Sequence, residues 1–174
     1  MLRDAVTADA EAIARIQRQS VEAMDSTMAA PATAEDIVSQ LQAMGPREVW
    51  LVVEEAEGVV GWGVVKKYSP RPGYDLCCET SIFLDRELVG RGLGRPLQQA
   101  LLDRAVALNY HHVVAKIWAD NAGSIRFHER FGYEMVGVQR EIGWVGGQWR
   151  DVAIMQKIFR AGPAIPLQRS SQAD

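Results

Sequence analysis

The feature that most constrains the fold is a glycine-rich stretch, LVGRGLGRPL at residues 88–97, which lies between an apolar run and a helix-like segment. Gly90, Gly92 and Gly94 alternate with side chains there. Glycine is favoured where the backbone needs a positive φ or where another group packs against the main chain. One or two glycines suffice for a tight turn. Three therefore indicate close approach by another group at a strand-to-helix turn.

Apolar residues at helical spacing alternate along the chain with runs of β-branched residues. In chain order, the predicted segments are helices over residues 5–24 and 33–44, strands over 49–55, 59–68 and 76–84, a helix after the glycines, a strand over 112–118, a helix over 121–131, and strands over 133–145 and 148–159. This order predicts an α/β (α+β) fold: helices first, an antiparallel meander, a β-α-β unit, a further helix and a final hairpin.

The composition is that of one soluble domain. The chain has 174 residues, of which 48% are hydrophobic and 24% are charged, enough apolar side chains for a single core. We expect residues 1–160 to form that domain. Residues 161–174 are rich in proline and polar residues, and we expect this tail to be poorly ordered.

Charge and hydropathy disfavour several classes of function. The formal net charge is -3 and no long basic run occurs, so a nucleic-acid partner is not expected. No uninterrupted run of about 18 apolar residues is present, which predicts a cytoplasmic protein without a membrane partner. Cys77 and Cys78 are adjacent, so in a strand their side chains point to opposite faces and do not bridge. Because no Cys and His cluster accompanies them, no metal is expected.

Glycine-rich turns from strand to helix can bind phosphate, because backbone N–H groups and the positive helix end converge on an anion. The stretch lacks the GxxxxGK[ST] pattern, and Arg95 breaks the GxGxxG pattern. It also lies in the middle of the chain, which disfavours a nicotinamide-binding module. A tight turn with solvated arginines explains the glycine pattern taken alone equally well.

Residues 79–97 and 121–133 together resemble the GNAT superfamily of acyl-CoA-dependent N-acyltransferases. Its [RQ]xxGxG motif falls on residues 89–94, with Val89 in place of the first residue. Similarity to the phosphinothricin and methionine sulfoximine acetyltransferases covers most of residues 2–159. It includes RPGY at 71–74, ETSIFL at 79–84, SIRFHERFGY at 124–133 and GQWRDV at 147–152.

The resemblance implies a GNAT fold, with a mixed, mostly antiparallel sheet whose central parallel strands splay around acetyl-CoA between flanking helices. Acetyl-CoA is the implied co-substrate. Its pyrophosphate is expected at backbone amides of the glycine turn, its pantetheine arm near Asn121, and the reaction's oxyanion at amides near residues 82–84. The implied cofactor-binding residues are Ile82, Phe83, Leu84, Gly90, Arg91, Gly92, Leu93, Gly94, Arg95, Asn121 and Ser124. Asn121 and Ser124 also fit a helix cap.

Two residues are candidates for proton transfer. Glu79 lies in a strand among apolar neighbours, where desolvation makes a carboxylate a stronger base; a Glu in water at a strand end or edge is the alternative. The resemblance implies that Glu79 is the general base. His128 occupies a position where many GNAT enzymes carry a proton-donating Tyr, and it is implied to donate to the CoA thiolate or tune the site. A surface helical His is the alternative.

Four further residues are candidates for binding the acceptor. Arg71 and Tyr74 flank Pro72-Gly73, where a guanidinium can hold a carboxylate or phosphinate bidentately, or the loop is simply a solvated turn. Met28 and Trp149 are candidates for the wall of an acceptor pocket, although strand aromatics are usually packing residues.

The predicted reaction is acetyl transfer from acetyl-CoA to the α-amine of a small amino-acid analogue. By resemblance, phosphinothricin, methionine sulfoximine and methionine sulfone are the first acceptors, and the enzyme is a homodimer. One alternative is a peptide or protein N-terminal acetyltransferase with an open groove. Another is an acyl-CoA-binding regulatory domain without catalysis, which the Val89 departure permits, although retention of Glu79 and His128 argues against it.

Overall fold

A seven-stranded mixed sheet organises the computed structural model, which describes residues 1–27 and 30–160. The strands are β1 (Leu2–Asp4), β2 (Val49–Glu55), β3 (Gly58–Lys67), β4 (Cys77–Leu84), β5 (His112–Trp118), β6 (Glu134–Val145) and β7 (Gln148–Ile158). The helices are α1 (Ala10–Glu22), α2 (Ala34–Gln42), α3 (Gly94–Ala107) and α4 (Ala122–Glu129). None of these helices is long and apolar enough to cross a bilayer.

The strands run in the order β1-β2-β3-β4-β5-β7-β6, and every neighbouring pair is antiparallel except β4 and β5. The parallel pairing of β4 with β5 ends at Glu79 and Val114, although β4 continues to Leu84 and β5 to Trp118. The two central strands therefore separate beyond Glu79. This confirms the predicted mixed sheet with splayed parallel strands.

Each face of the sheet carries its own core, because successive strand side chains point to opposite faces. On one face, α3 packs Leu97 and Leu101 against Val65. On the other face, α1 and α2 cover Trp50 and Trp62. Glu79 also points to this second face, because its neighbour Cys78 belongs to the core on the first face.

Two glycines of β3 allow close packing against neighbouring elements. A Cβ built on Gly61 would lie 2.6 Å from Leu84 Cδ2, and one built on Gly63 would lie 2.6 Å from Leu101 Cδ1. A side chain at either position would push against the core. Gly63 thus sets the distance between β3 and the buried face of α3, and Gly61 makes room for the Leu84 side chain of β4, which the strand pattern alone did not predict.

The N-terminal segment differs from its prediction. Residues 2–4 form the edge strand β1, a turn of 3-10 helix covers Thr7–Asp9, and α1 begins only at Ala10. Arg3 and Asp9 form an ion pair of 2.7 Å that holds the pKa of the Asp9 carboxyl below its usual value. Three residues are too few for a period-two pattern. The sequence therefore predicts no element at residues 2–4, and it predicts the first helix to begin at residue 5, five residues before α1.

The two cysteines are free and buried, as expected of neighbours in a strand. Burial raises the pKa of the Cys77 thiol to about 11 and that of Cys78 further. Both thiols therefore stay protonated at neutral pH. The predicted tail at 161–174 lies outside the described residues.

Candidate active site

The glycine turn leads from β4 into α3. Gly90 and Gly92 have φ of +90° and +84°, a backbone region that favours glycine. Gly94 begins α3, and a Cβ there would lie 3.2 Å from Leu84 Cδ1 and 3.5 Å from the Phe127 ring. Two glycines thus serve the turn and the third serves packing. The close approach predicted from three glycines is thus provided at Gly94 by Leu84 and Phe127, and the glycines alone do not indicate a ligand.

The charges at the start of α3 point to an anion more directly. The first turn of α3 has no acidic residue and its N-cap makes no side-chain hydrogen bond. Arg91 and Arg95 are both exposed there. Positive side chains at the positive end of a helix destabilise it, but together with free N–H groups they favour a bound anion such as a diphosphate.

The gap between β4 and β5 exposes main-chain groups. The Asp85 N–H donates to the Val60 carbonyl at 2.8 Å, so odd-numbered residues of β4 turn their backbone groups to β3. Ile82 and Leu84 therefore direct theirs towards β5, beyond the last paired residues. Phe83 does not: its backbone faces β3, which corrects its predicted place among the amides that line the gap.

Glu79 stands where the two central strands separate. Its Oε2 lies 2.7 Å from Lys116 Nζ, and its Oε1 lies 3.5 Å from Lys66 Nζ. The side chain is 13% exposed. The sequence pattern predicts apolar surroundings for this carboxylate. That is corrected, because two ammonium groups from adjacent strands flank it.

Aromatic rings connect Glu79 to one of the predicted acceptor residues. Lys116 Nζ lies 5.3 Å from the centroid of the Tyr68 ring, and Tyr68 meets Tyr74 edge-on at 5.8 Å. Tyr74 ends a short 3-10 turn, and Arg71 is exposed immediately before that turn. The Tyr68 ring thus connects Tyr74 to Lys116 of the Glu79 cluster.

His128 is a buried side chain, 4% exposed, and the surface alternative is wrong. Its Nδ1 lies 2.8 Å from the Ser124 carbonyl oxygen. A carbonyl only accepts hydrogen bonds, so Nδ1 carries the hydrogen and Nε2 the lone pair. Burial lowers the pKa of His128 below its ordinary 6.5. The ring is therefore neutral at neutral pH, which makes it a poor source of the proton that the sequence hypothesis assigned to it.

A buried polar network that the sequence did not suggest joins His128 to β4. The His128 ring meets the Tyr133 ring edge-on at 5.1 Å, and Tyr133 Oη lies 2.9 Å from Thr80 Oγ1. Gln98 Nε2 of α3 donates to the same phenol oxygen at 3.2 Å. Thr80 follows Glu79 and points to the α3 face. Glu79 and His128 therefore lie on opposite faces of the sheet near the split.

A cleft of about 780 Å³ opens beyond the end of β5. Asn121 and Ser124 line it, and Asn121 Oδ1 accepts the Ser124 N–H at 3.0 Å, so the predicted helix cap is formed. The other lining residues are Ala23, Met24, Asp25, Arg86, Val89, Trp118, Asp120, Gly123, Gln148 and Arg150. The cleft thus joins the start of α4 to the segment before the glycine turn.

Arg150 fixes one wall of this cleft. Its guanidinium donates to both carboxylate oxygens of Asp120 at 2.6 Å and to the Met24 carbonyl at 2.7 Å, and it lies 4.6 Å from the centroid of the Trp118 ring. These contacts connect the β7 strand to the end of α1. Sequence reasoning missed Arg150, Trp118 and both lysines, because cross-strand partners cannot be identified before the register is known.

Trp149 does not join the other candidate residues within one chain. It is 59% exposed, meets Trp144 at 5.0 Å, and leaves β7 on the opposite face from Arg150. Within a single chain, Trp149 therefore does not lie with the other acceptor candidates, which corrects its predicted place in an acceptor pocket. Met28 lies outside the described residues. Among the described residues, no cluster of three or more His, Cys, Asp or Glu side chains suits a metal ion.

The chain is similar in sequence to named acetyltransferases. Phosphinothricin N-acetyltransferase of Streptomyces viridochromogenes is 31% identical over 166 residues, covering 95% of this chain and 90% of that enzyme. L-methionine sulfoximine/L-methionine sulfone acetyltransferase of Pseudomonas paraeruginosa is 37% identical over 107 residues, 61% of this chain and 62% of that enzyme.

Similarity extends to a solved structure. A phosphinothricin acetyltransferase of the GNAT superfamily from Sinorhizobium meliloti, in complex with acetyl-CoA, has a TM-score of 0.88 at 28% identity, covering 98% of this chain and 94% of that one. A family model described as an acetyltransferase (GNAT) domain matches residues 2–154. These matches confirm, at the level of the family, the predicted enzyme class and its acetyl-CoA donor. The chain belongs to the GNAT family of acetyltransferases.

Proposed function

We propose that the protein transfers an acetyl group from acetyl-CoA to the α-amine of a small amino-acid analogue. One observation carries this proposal: the Glu79 carboxylate lies where β4 and β5 separate, and further along β4 the backbone groups of Ile82 and Leu84 face the gap without a paired residue of β5. A base and oxyanion donors are thus next to one gap in the sheet.

The donor fits along this gap. Its diphosphate binds at the start of α3, where Gly90 and Gly92 form the turn and Arg91 and Arg95 supply positive charge. Its pantetheine arm runs past Asn121 towards the separated strands. Backbone groups of the two separated strands then form hydrogen bonds with the arm, as they would with an additional strand between them.

The chemistry requires a neutral nucleophile, although an α-amine is mostly protonated at neutral pH. Glu79 accepts the ammonium proton, directly or through water, and the free amine attacks the thioester carbonyl. The oxyanion of the tetrahedral intermediate accepts hydrogen bonds from main-chain N–H groups at Ile82 and Leu84. When the intermediate collapses, the C–S bond breaks, the nitrogen gives up its second proton to water, and the leaving CoA thiolate takes up one proton from water, so that the amide and the CoA thiol are released while Glu79 returns its proton to solvent. His128 is neutral, so the proposal assigns it no obligatory proton donation.

Phosphinothricin, methionine sulfoximine and methionine sulfone are the first acceptors to test, because two similar enzymes are named for these substrates. Each of these compounds is an α-amino acid with a polar tetrahedral side-chain group. Tyr74, which the Tyr68 ring connects to the Glu79 cluster, and Arg71, at the start of the same turn, are the residues proposed to contact that side-chain group.

A homodimer is part of the same proposal. The edge strand β6 and its hairpin partner expose large apolar side chains: Met135, Val136, Val138, Ile142, Trp144 and Trp149, each 45–59% exposed. An exposed apolar edge of this kind is typical of an interface. Light scattering should give twice the monomer mass, and Val138→Glu should return a monomer. A wild-type monomer at assay concentration contradicts this part. Cytoplasmic location remains a prediction.

The decisive experiment follows CoA thiol release with free amino-acid analogues and short peptides as acceptors. Turnover of analogues alone supports the proposal, and turnover of peptides alone supports an N-terminal acetyltransferase. Acetyl-CoA binding without turnover of either supports a regulatory domain.

Glu79→Gln then tests the base. We expect kcat to fall about a hundredfold or more, with unchanged affinity for acetyl-CoA. Glu54→Gln is a matched control, since Glu54 is also a strand carboxylate with a cationic partner, Arg3 at 2.9 Å, but lies far from the split. Equal kinetics in the two variants contradicts the assignment.

A further inference from the structure

The ion pair of Glu79 and Lys116 raises a problem for catalysis. The acceptor nitrogen arrives as a cation, yet two lysines surround the carboxylate that must receive its proton. One carboxylate and two ammonium groups leave this cluster with a net positive charge. A simple amine would be repelled by the lysines and would have to compete with Lys116 for Glu79.

An acceptor with an acidic group beside its amine has no such problem. In an α-amino acid, one carbon atom separates the ammonium from the carboxylate, so the zwitterion is the electrostatic complement of adjacent Lys116 and Glu79 side chains. We propose that Lys116 binds the α-carboxylate of the acceptor while Glu79 receives the α-ammonium. This inference rests on the proposed function and names the part of the acceptor that the site recognises.

The surroundings of the pair support an exchange of partners. Lys116 forms the 2.7 Å contact to Oε2, whereas Lys66 lies 3.5 Å from Oε1 on the other side. When Lys116 turns to the acceptor carboxylate, Lys66 keeps Glu79 oriented. The Tyr68 ring, 5.3 Å from Lys116 Nζ, limits where the ammonium can move.

The pair is also accessible from the side where an acceptor would arrive. The Lys116 side chain is 40% exposed. Trp118, two residues further along β5 and on the same face, lines the cleft. Tyr68 connects Lys116 to Tyr74, so the acceptor side chain would extend towards the Arg71 and Tyr74 turn.

The consequence is a requirement for a free α-carboxylate. The α-carboxylate of a free amino acid can form an ion pair with Lys116, whereas peptides, amino-acid amides and simple amines have no carboxylate at that position. The Lys116 side chain alone would therefore make the enzyme prefer free amino acids to peptides.

The test compares methionine sulfone with methionine sulfone amide in the wild type, Lys116→Met and Lys116→Arg. We expect wild type to favour the free acid in kcat/KM by about tenfold or more, the range of a hydrogen bond to a charged group. Lys116→Met should reduce that ratio to near one, mainly through KM for the acid, with KM for acetyl-CoA unchanged. Lys116→Arg should retain part of the preference.

Lys67→Met is the matched control. Lys67 is also 40% exposed and also pairs with a carboxylate, Asp75 at 2.6 Å, but its side chain leaves β3 on the face opposite to Lys66. Its acid-to-amide ratio should equal that of the wild type. If Lys116→Met abolishes turnover, calorimetric binding of the acid and the amide to the folded variant gives the same comparison.

Two kinds of failure are distinguishable. A wild type that acetylates both compounds equally, or a Lys116→Met variant that keeps the preference, overturns the carboxylate subsite and leaves the acetyltransferase intact. A wild type that acetylates no free amino acid but does acetylate peptides overturns the proposed acceptor class as well.

Discussion

The hydroxyl of Tyr133 lies 2.9 Å from that of Thr80, the residue that follows Glu79 in β4. Gln98 donates to the same phenol oxygen, and Tyr133 and Gln98 are almost completely buried. This contact ties the start of the separated part of β4 to α3 and to the segment after α4. The position of the base thus depends on packing on the opposite face of the sheet.

Tyr133→Phe should therefore lower both stability and kcat. Removal of the phenol oxygen leaves the buried Thr80 hydroxyl and the buried Gln98 amide without this hydrogen-bond partner, which costs about 1–3 kcal/mol of unfolding free energy. Chemical denaturation measures that loss, and steady-state kinetics should show a lower kcat with little change in KM for acetyl-CoA.

Tyr110→Phe separates the two effects. Tyr110 is 4% exposed, and its hydroxyl donates to the Arg47 carbonyl at 2.9 Å, away from the split. The Tyr110→Phe variant should lose about as much stability as Tyr133→Phe, but its kcat should equal that of the wild type. Equal kcat values in the two Phe variants would show that Tyr133 only stabilises the fold.

Gly63→Ala adds only one methyl group, yet it should clearly lower the free energy of unfolding. The new Cβ would lie 2.6 Å from Leu101 Cδ1 and 3.0 Å from the Ser81 carbonyl oxygen, so α3 or the strand must shift. Overpacking of this kind costs about 1–3 kcal/mol. Gly137→Ala in β6 is the control, because no atom lies within 4 Å of its Cβ. Thermal unfolding of both variants checks the difference; a smaller loss in Gly63→Ala than in Gly137→Ala contradicts it.

The elements and their order were accessible from the sequence because they depend on local signals. The strand at 112–118 and the hairpin at 49–67 were predicted at or near their observed bounds, since β-branched runs and turn residues mark them. β1 was missed because three residues carry no measurable period, and its pairing with β2 is a long-range contact.

The candidate site was accessible only in part. Glu79 and Asn121 could be chosen by their motif positions, and the cap at Asn121 is local. Lys66 and Lys116 approach Glu79 from two other strands, one of them 37 residues away, and this depends on register. The inward position of His128 likewise depends on how α4 docks, which eight residues of helix do not reveal.

Lowering the pH should destabilise the protein partly through His128. Burial lowers its pKa in the folded state below the ordinary 6.5, so the unfolded chain binds the proton more readily. The contribution of His128 to the free energy of unfolding is fully present above pH 6.5, and it is lost as the pH falls from 6.5 towards the folded-state pKa. In His128→Asn, the fall in melting temperature over that interval should be shallower than in the wild type. Parallel profiles would mean that His128 is not protonated differently in the two states.

Arg95→Gln should have opposite effects on stability and on binding. Arg95 lies in the first turn of α3, whose positive end disfavours a cation, so its removal should stabilise the free protein by about 0.3–1 kcal/mol at low salt. The same change removes a charge from the proposed diphosphate site and should weaken CoA binding about threefold to fivefold, an effect that salt should reduce. Arg104→Gln, at the other end of α3 and paired with Asp4 at 2.6 Å, is the control. It should lose stability and leave CoA affinity unchanged, as measured by thermal unfolding and calorimetry. If both variants shift stability in the same direction, the positive end of α3 does not disfavour Arg95. If Arg95→Gln binds CoA as the wild type does, the diphosphate does not bind at the start of α3.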